Sequence, residues 1–373
     1  MKKVLAILFL FGAALFLAAC GGLEKIEKEN EKIVLITDKG DIDDKSFNQG
    51  SYEGVKAFGD REGVKYEYLK PSEANSAAYI DAIEQAIGNG ATIIVTPGFL
   101  FEDPINSVQK DYPKVRFIIL DGNPANANEG KGTLEKNVHS VFYAEEQSGF
   151  LAGYAAVKDG YRKLGFMGGM AVPAVQRFGH GFVQGAAVAA AELKLENGAI
   201  SIDYLYTGDF KASPEVQGAA SSLYNNGVEV IFACGGAVGQ SVMAAAADDA
   251  SGNKVVIGVD VDQSADSPTV ITSATKELAN SVILALEGIF EGKFPSEFGG
   301  KSVILDVTKD GVGLPMKTSR FKTFAQADYD AIYQKLVAGT VKVSNKVGEF
   351  GDDGNASKQF ETDHVKVTVI PFG

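Results

Sequence analysis

The stretch that decides the fold is residues 33–59, IVLITDKGDIDDKSFNQGSYEGVKAFG. The apolar run at 33–36 predicts a buried strand, and Tyr52, Val55 and Phe58 share the spacing of one helix face, which predicts a helix over 50–62. A strand, a polar loop and a helix in this order form a βα unit. The acidic loop between them is the first candidate functional segment.

The same alternation continues along the chain. Further strands are predicted at 65–69, 92–96, 117–120, 163–167, 202–206, 228–233, 254–259, 302–307 and 365–370. Further helices are predicted at 78–87, 147–158, 178–194, 213–225, 238–250, 275–291 and 325–337. Short apolar runs between helical patterns are typical of a parallel sheet that is covered on both faces.

The chain has 373 residues, which is more than a domain with a single hydrophobic core usually contains. The βα pattern restarts after a switch near 142–146, and a second crossover is predicted near 262–272. We therefore predict an α/β fold with two doubly wound parallel-sheet lobes joined by a hinge. The predicted N-terminal lobe is 33–143 plus about 270–300, and the C-terminal lobe is 144–269 plus about 301–373.

The N-terminus carries a targeting signal. Lys2 and Lys3 precede an apolar run, 4–16, that is too short for a comfortable membrane span, and small residues then lead to Cys20. This end resembles a bacterial lipobox, which implies a signal peptide at 1–19 and a lipidated tether at 20–32. The expected location is the extracytoplasmic face of the cell membrane, held by lipid on Cys20. The alternative is a plain signal peptide with a chance cysteine.

Charge and cysteine content narrow the possible partners. The net charge is −13, and removal of 1–19 with its two lysines leaves 33 basic and 48 acidic residues, a net charge of −15. Such a balance argues against nucleic acid as a partner. Cys234 has no second cysteine to pair with once Cys20 carries lipid, so a buried, inert thiol is predicted there.

Polar and aromatic candidates fall where predicted strands end. Asp38, Asp121 and Asp260 each follow an apolar strand directly, and Phe47 and Phe210 lie at the edges of opposite lobes. Ligands of open parallel sheets bind beyond the carboxyl ends of the strands. Carboxylates there can accept hydrogen bonds from hydroxyl or ring N–H groups, and two aromatic faces about 7 Å apart can hold a flat ring. Taken singly, such an aspartate is more often a helix cap or a turn residue, and it is the recurrence at one edge that favours a site.

The acidic loop does not match a metal site. Lys45, Ser46 and Tyr52 occupy positions where a calcium-binding EF-hand loop requires a ligand, a glycine and a glutamate. The three histidines are far apart and lack zinc spacing: His139, His180 and His364. No metal and no cofactor are predicted.

The sequence offers little for catalysis. It contains no Gly-x-Ser-x-Gly elbow and no phosphate-binding loop of the Gly-Lys-Ser/Thr kind. Glycine-rich turns lie at 168–169 and at Gly235 and Gly236, and they have two possible interpretations. They are either tight turns for close packing or backbone N–H groups that face a ligand.

Five motifs, with the lipobox, resemble the basic membrane lipoprotein family and, within it, the purine-nucleoside receptor lipoproteins. They are DIDDKSFNQGSYEG, PAVQRFGHGFVQG, YTGDFKASPEVQG, GVDVDQ and TSATKEL, and the resemblance covers residues 33–373. It implies a type I periplasmic-binding-protein fold and a capture subunit of an ATP-binding-cassette importer. The implied ligand is a purine nucleoside (guanosine, adenosine or inosine), and the implied partners are permease and ATPase subunits. The acidic composition departs from the word "basic" in the family's name.

The resemblance also implies roles for individual residues. By this likeness Phe47 and Phe210 sandwich the base, and Asp121 and Asn48 read its edge. The ribose would be held by Asp38, Asp260 and Lys276, with backbone contacts from Gly235 and Gly236.

The expected function is therefore substrate binding by a lipid-anchored monomer, without catalysis. The alternative within the same fold is a lipoprotein that binds a sugar or a sugar-derived signal. Other classes are a nucleoside-cleaving enzyme, a LacI-like regulator and a surface protein that binds host molecules. A nucleoside-cleaving enzyme would need a motif that binds phosphate or activates water, and the sequence supplies neither. A LacI-like regulator would need an N-terminal helix-turn-helix, and residues 1–32 are expected to be a signal and a tether instead.

Overall fold

The computed structural model describes residues 26–346 and 363–372, with only the backbone of Asn128 and Glu129. The strands are β1 Lys32–Ile36, β2 Lys65–Leu69, β3 Ile93–Pro97, β4 Arg116–Leu120, β5 Val138–Tyr143, β6 Lys163–Gly168, β7 Ile200–Tyr206, β8 Val230–Cys234, β9 Val255–Asp260, β10 Val270–Lys276, β11 Lys301–Leu305, β12 Val312–Gly313 and β13 Val365–Val369. The helices are α1 Phe47–Glu62, α2 Ser76–Gly88, α3 Glu102–Val108, α4 Ala127–Gly130, α5 Glu145–Lys158, α6 Pro173–Glu192, α7 Pro214–Asn225, α8 Val238–Ala247, α9 Leu278–Phe290 and α10 Gln326–Val337.

Two sheets organise the described residues. The first has six parallel strands in the order β11-β5-β4-β3-β1-β2, and the second has seven in the order β12-β10-β9-β8-β6-β7-β13. In the second sheet only the short β12 runs antiparallel, beside β10. The prediction of two parallel-sheet α/β lobes is confirmed.

Helices cover both faces of each sheet. In the first lobe α1 packs with α9 on one face, and α2 packs with α3 on the other. In the second lobe α5 packs with α6, and α7 packs with α8. The central strands are apolar on both sides for this reason, which explains their continuous hydrophobic runs.

Local signals start and stop the helices. The Asn75 side chain accepts a hydrogen bond from Ala78 N at the start of α2, and Ser213 does the same for Val216 N in α7. Pro173 opens α6 at a position where a missing N–H costs nothing, so this helix begins before the predicted residue 178. Gly63, in the left-handed conformation with φ 70°, ends α1.

Within the described residues the chain crosses between the lobes three times, and two predicted boundaries are wrong. Residues Val270–Lys276 were assigned to the first lobe and Thr275 and Lys276 to a helix, yet this segment is β10 and pairs with β9 in the second sheet. Conversely, Lys301–Leu305 was assigned to the second lobe, but it pairs with β5 in the first sheet. The crossings therefore lie after β5, between β10 and α9, and between β11 and β12.

Candidate functional site

The carboxyl ends of the two sheets face each other across a cavity of about 950 Å³. This volume lies within the usual range for a small-molecule site. All nine residues predicted to contact a ligand line the cavity: Asp38, Phe47, Asn48, Asp121, Phe210, Gly235, Gly236, Asp260 and Lys276. The structure thus brings together side chains that are as far as 238 positions apart in the sequence.

The acidic loop is held by its own hydrogen bonds. Asp44 accepts from the backbone N–H of Ser46 at 2.8 Å and of Asn48 at 3.0 Å, so it caps the first turn of α1. The Asn48 Nδ2 group donates to both Asp38 and Asp44 at 2.9 Å, and Asn48 Oδ1 accepts from Asp38 N at 3.2 Å. Asn48 therefore orients Asp38. Its proposed contact with a base edge stays a prediction.

A buried ammonium lies at the centre of the site. The Lys276 Nζ atom lies 2.5 Å from Asp121 Oδ2 and 3.6 Å from Asp260 Oδ1. It also lies 3.1 Å from Glu145 Oε1, as an ion pair without the geometry of a hydrogen bond. Only 2% of the Lys276 side chain is exposed, and Glu145 is fully buried. Strand β10 thus carries one cation to the carboxylates of both lobes.

Burial and charge act against each other in this cluster. Burial would lower the pKa of Lys276, but the carboxylates of Asp121, Glu145 and Asp260 outweigh burial and raise it. Burial raises the pKa of Asp121 to about 7 against the opposing effect of Lys276. The pKa of Glu145 is lowered, because Arg177 and Lys276 together outweigh the effect of burial. Lys276 is therefore the charged centre that keeps the site's carboxylates in place.

Two of the cavity's aspartates have unusual backbone conformations. Asp121 follows β4 with φ 53°, and Asp260 is the last residue of β9 with φ 66°. Such left-handed conformations are uncommon outside glycine and persist where the surroundings hold them. They turn both side chains out of the strand line at matching edges of the two lobes. Asp121 Oδ1 is buried and has no hydrogen-bond partner in the described residues, which leaves an acceptor for a bound molecule.

Phe47 and Phe210 line the cavity from opposite lobes. The Lys276 ammonium lies 4.8 Å from the centre of the Phe47 ring, within cation–π distance. The backbone around Phe210 is built of glycine: a Cβ atom at Gly169 would overlap the Phe210 ring, and Gly236 has φ 52°. Both readings of the glycine turns therefore have support, because the turns seat Phe210 while Gly235 and Gly236 line the cavity.

Sequence reasoning missed part of the site. Glu145 and Arg177, joined by a 2.6 Å bond from Arg177 Nε to Glu145 Oε2, were not predicted, and Arg177 lines the cavity with Phe178. A signal for Arg177 was present, since it is the one charged residue between 173 and 191. Glu145 and Glu146 follow the apolar end of β5, at the position that marked the aspartates elsewhere.

Such a polar and aromatic cavity between two parallel-sheet lobes defines a two-lobed solute-binding protein. The family model described as "ABC transporter substrate-binding protein PnrA-like" matches residues 31–347. The chain therefore belongs to this family, whose members bind substrate for an ABC transporter. The predicted relationship is confirmed.

Individual relatives agree with this assignment. The chain is 31% identical to the ABC transporter nucleoside-binding protein BmpA of Lactococcus lactis, over 83% of this chain and 89% of that protein. It is 31% identical to basic membrane protein A1 of Borrelia garinii, over 86% and 91% of the respective chains. An ABC transporter solute-binding protein from Aeropyrum pernix K1 shares the fold with a TM-score of 0.73 at 20% identity, over 88% of this chain and 99% of that one.

The membrane signal lies outside the described residues. Cys20 and the segment 1–25 are not part of the structural description, so lipidation stays a prediction. Across residues 26–346 and 363–372, no helix combines the length and the apolar character that a membrane crossing needs.

Proposed function

We propose that this chain is the substrate-binding lipoprotein of an ABC importer and that it binds a purine nucleoside between its lobes. The observation that carries the proposal is that Phe47 and Phe210, from opposite lobes, both line a cavity that also holds Asp121 Oδ1, an acceptor without a hydrogen-bond partner in the described residues. A flat heteroaromatic base satisfies both features, because it stacks on rings and carries N–H donors at its edge.

The remaining polar groups suit a ribose. Asp38 and Asp260 place carboxylates from both lobes in the cavity, and Lys276 supplies a donor 3.6 Å from Asp260. Vicinal hydroxyls can donate to carboxylates and accept from an ammonium. Backbone groups at Gly235 and Gly236 complete the enclosure.

The mechanism follows from contacts that both lobes make with one ligand. A nucleoside that touches Phe47 and Phe210 together stabilises the arrangement in which the lobes are close. The lipoprotein, held to the membrane through Cys20, then presents the ligand to a permease that separates the lobes. No bond of the ligand is made or broken.

Isothermal titration of the purified protein tests the proposal. The protein is first unfolded and refolded to remove any ligand carried through purification, then titrated with guanosine, adenosine, inosine, cytidine and ribose. We expect one-to-one binding of a purine nucleoside and none of ribose. Binding of ribose alone would contradict the nucleoside proposal and favour a sugar ligand.

Substitutions assign the contacts. Phe47→Ala should weaken nucleoside binding roughly 10- to 100-fold, since base–aromatic stacking contributes about 1–3 kcal/mol. The control Tyr68→Ala, at an exposed ring on β2, should leave the affinity unchanged.

The variant Asp260→Ala should weaken the binding of nucleosides more than the binding of free purine bases. Equal losses of affinity for both ligands would show that Asp260 does not contact the ribose. For the first variant, an affinity of Phe47→Ala equal to that of the wild type would refute stacking.

A further inference from the structure

The loop between β1 and α1 also contacts the second lobe beside the ligand cavity. Ser46 Oγ donates to Asp260 Oδ2 at 2.5 Å, and Gln263 Nε2 donates to the backbone carbonyl of Lys45 at 2.6 Å. Ser46 and Gln263 do not line the cavity. These two bonds join protein to protein, so they do not need a bound ligand.

The Ser46–Asp260 bond is buried, and the Gln263–Lys45 bond is partly buried. Ser46 is fully buried and Gln263 is 1% exposed, so solvent competes with these bonds less than with a surface contact. By contrast, Lys39 and Asp209 meet across the cleft at 3.2 Å with 22% and 41% of their side chains exposed. Exposed ion pairs of that kind contribute little. The contacts of Ser46 and Gln263 are therefore stronger candidates than this ion pair for holding the lobes together. The buried Lys276–Asp121 pair also joins the lobes, but both of its residues line the ligand cavity.

The second lobe is shaped to hold the Gln263 amide in one orientation. Gln263 Oε1 accepts from Val259 N at 3.2 Å, and Gln263 N donates to Ser273 Oγ at 3.1 Å. A Cβ atom at Gly258 would overlap both Gln263 Oε1 and Ser273 Oγ, so only glycine leaves room for this arrangement. With Oε1 fixed in this way, Nε2 points to the first lobe.

The first lobe presents its carbonyl through a constrained backbone. Lys45 has φ 61°, in the left-handed region that residues with a Cβ atom rarely adopt. Its ammonium lies 3.6 Å from Asp266 of the second lobe. Such a conformation persists where surrounding contacts hold it.

We propose that Ser46 and Gln263 are positioning residues that form a latch, defined as the Ser46–Asp260 and Gln263–Lys45 hydrogen bonds, which favours the closed arrangement of the lobes without touching the ligand. The latch raises the fraction of protein in the binding-competent form. Apparent affinity scales with that fraction, so the latch sets how tightly the cavity binds whichever ligand fits it. It also slows ligand release, because opening breaks both bonds.

The test measures the distance between the lobes in the absence of any nucleoside. Nitroxide labels are attached through an unnatural ketone amino acid at Glu73 and Glu215, exposed positions on opposite lobes, which leaves Cys20 and Cys234 unlabelled. Pulsed electron spin resonance on the stripped, refolded full-length protein should show a substantial short-distance population. The double variant Ser46→Ala/Gln263→Met should lose most of it.

Matched controls separate the latch from general loss of buried hydrogen bonds. Gln109 is fully buried and bonds Thr133 O and Glu135 N within the first lobe, so Gln109→Met removes a similar amide that joins no lobes. Ser51→Ala likewise removes a hydroxyl that bonds Phe47 O within α1. Both controls should keep the wild-type distance distribution.

Ligand kinetics provide the second readout. The double variant should bind the ligand found by titration about tenfold more weakly, mostly through faster release in stopped-flow experiments. Ser46→Ala alone, the milder change, should show the same trend if the double variant folds poorly. Equal distance distributions in the wild type and both latch variants would overturn the latch. That distance result does not depend on which ligand the cavity takes, so failure of the nucleoside proposal would be seen separately.

Discussion

At the scale of single residues, Lys276 decides the chemistry of the cleft. An ammonium that is almost fully removed from water is unfavourable unless opposite charges surround it. Asp121, Glu145 and Asp260 come from three different segments and provide that surrounding. Burial of these three carboxylates in one cluster would likewise be unfavourable without the Lys276 ammonium. The cluster therefore stabilises the cavity only as a unit.

Glu146 is a buried carboxylate next to this cluster, and it gives a pH-dependent prediction. Its burial, together with the charge of Glu145, raises its pKa to about 7 from an ordinary value of 4.5. The folded protein therefore binds this proton more tightly than the unfolded chain does. The stability that the protonated group contributes declines as the pH rises from about 4.5 to 7.

The variant Glu146→Gln removes this decline. The free energy of unfolding of the variant minus that of the wild type should rise by about 1–3 kcal/mol between pH 5 and pH 8, measured by urea denaturation at each pH. The control Glu84→Gln, at an exposed position of α2, should show no such gain. A constant difference between wild type and Glu146→Gln across this range would contradict the raised pKa.

At the scale of elements, α5 and α6 pack backbone against backbone. A Cβ atom at Gly153 would overlap Phe182 O, and one at Gly185 would overlap Phe150 O. Glycine is required here because the two helices approach too closely for any side chain. The contact orients the start of α5, where Glu145 lies, relative to α6, which carries Arg177.

Substitution at this contact should therefore be costly. Gly185→Ala should reduce the free energy of unfolding by about 1–3 kcal/mol, because the helices have to separate. Gly218→Ala is the matched control: it lies in α7 with no atom within 4 Å of the added methyl group and should stabilise the protein by about 0.5–1 kcal/mol. Equal effects of the two substitutions in thermal or urea unfolding would refute the close packing.

At the scale of the whole molecule, three chain crossings let both lobes share one cleft. The loop 37–46 of the first lobe and the first residue of α1 bring Asp38 and Phe47 to the cavity and Ser46 to the second lobe. Strand β10 of the second lobe brings Lys276 to Asp121 of the first. The proposed ligand contacts and the observed lobe contacts thus lie on the same segments, which is the arrangement that the proposed link between ligand binding and lobe closure requires.

The location of the molecule rests on its N-terminal motif. The change Cys20→Ser should release the protein from membranes into the soluble fraction, because the proposed lipid supplies the membrane affinity. Cell fractionation with immunoblotting measures this. Cys234→Ser, at the buried thiol of β8, should remain membrane-bound. Continued labelling of the Cys20→Ser protein by a fatty-acid analogue would contradict lipidation at Cys20.

Prediction from sequence succeeded where the pattern is local and failed where strand pairing decides the element and its lobe. The helical spacing of α9 starts at Leu278, but the predicted helix began at Thr275 and so included the last two residues of β10. Strand β5 was not predicted, although its edge partner β11 was. Periodicity shows that a segment has a buried face, but it does not show which sheet provides the burial.

The sequence alone determined the alternation of strands and helices, and it located Asp38, Asp121 and Asp260 at strand ends, because both properties depend on neighbouring residues. Only the tertiary structure decided which sheet receives β10 and β11, which carboxylates surround Lys276, and that Glu145 and Arg177 join them. These outcomes depend on contacts between segments that are not adjacent in the sequence, and Lys276 with Asp121 and β11 with β5 are more than 100 positions apart. The free energy of such contacts comes from burial and charge compensation in the folded chain. A local sequence pattern therefore cannot predict them.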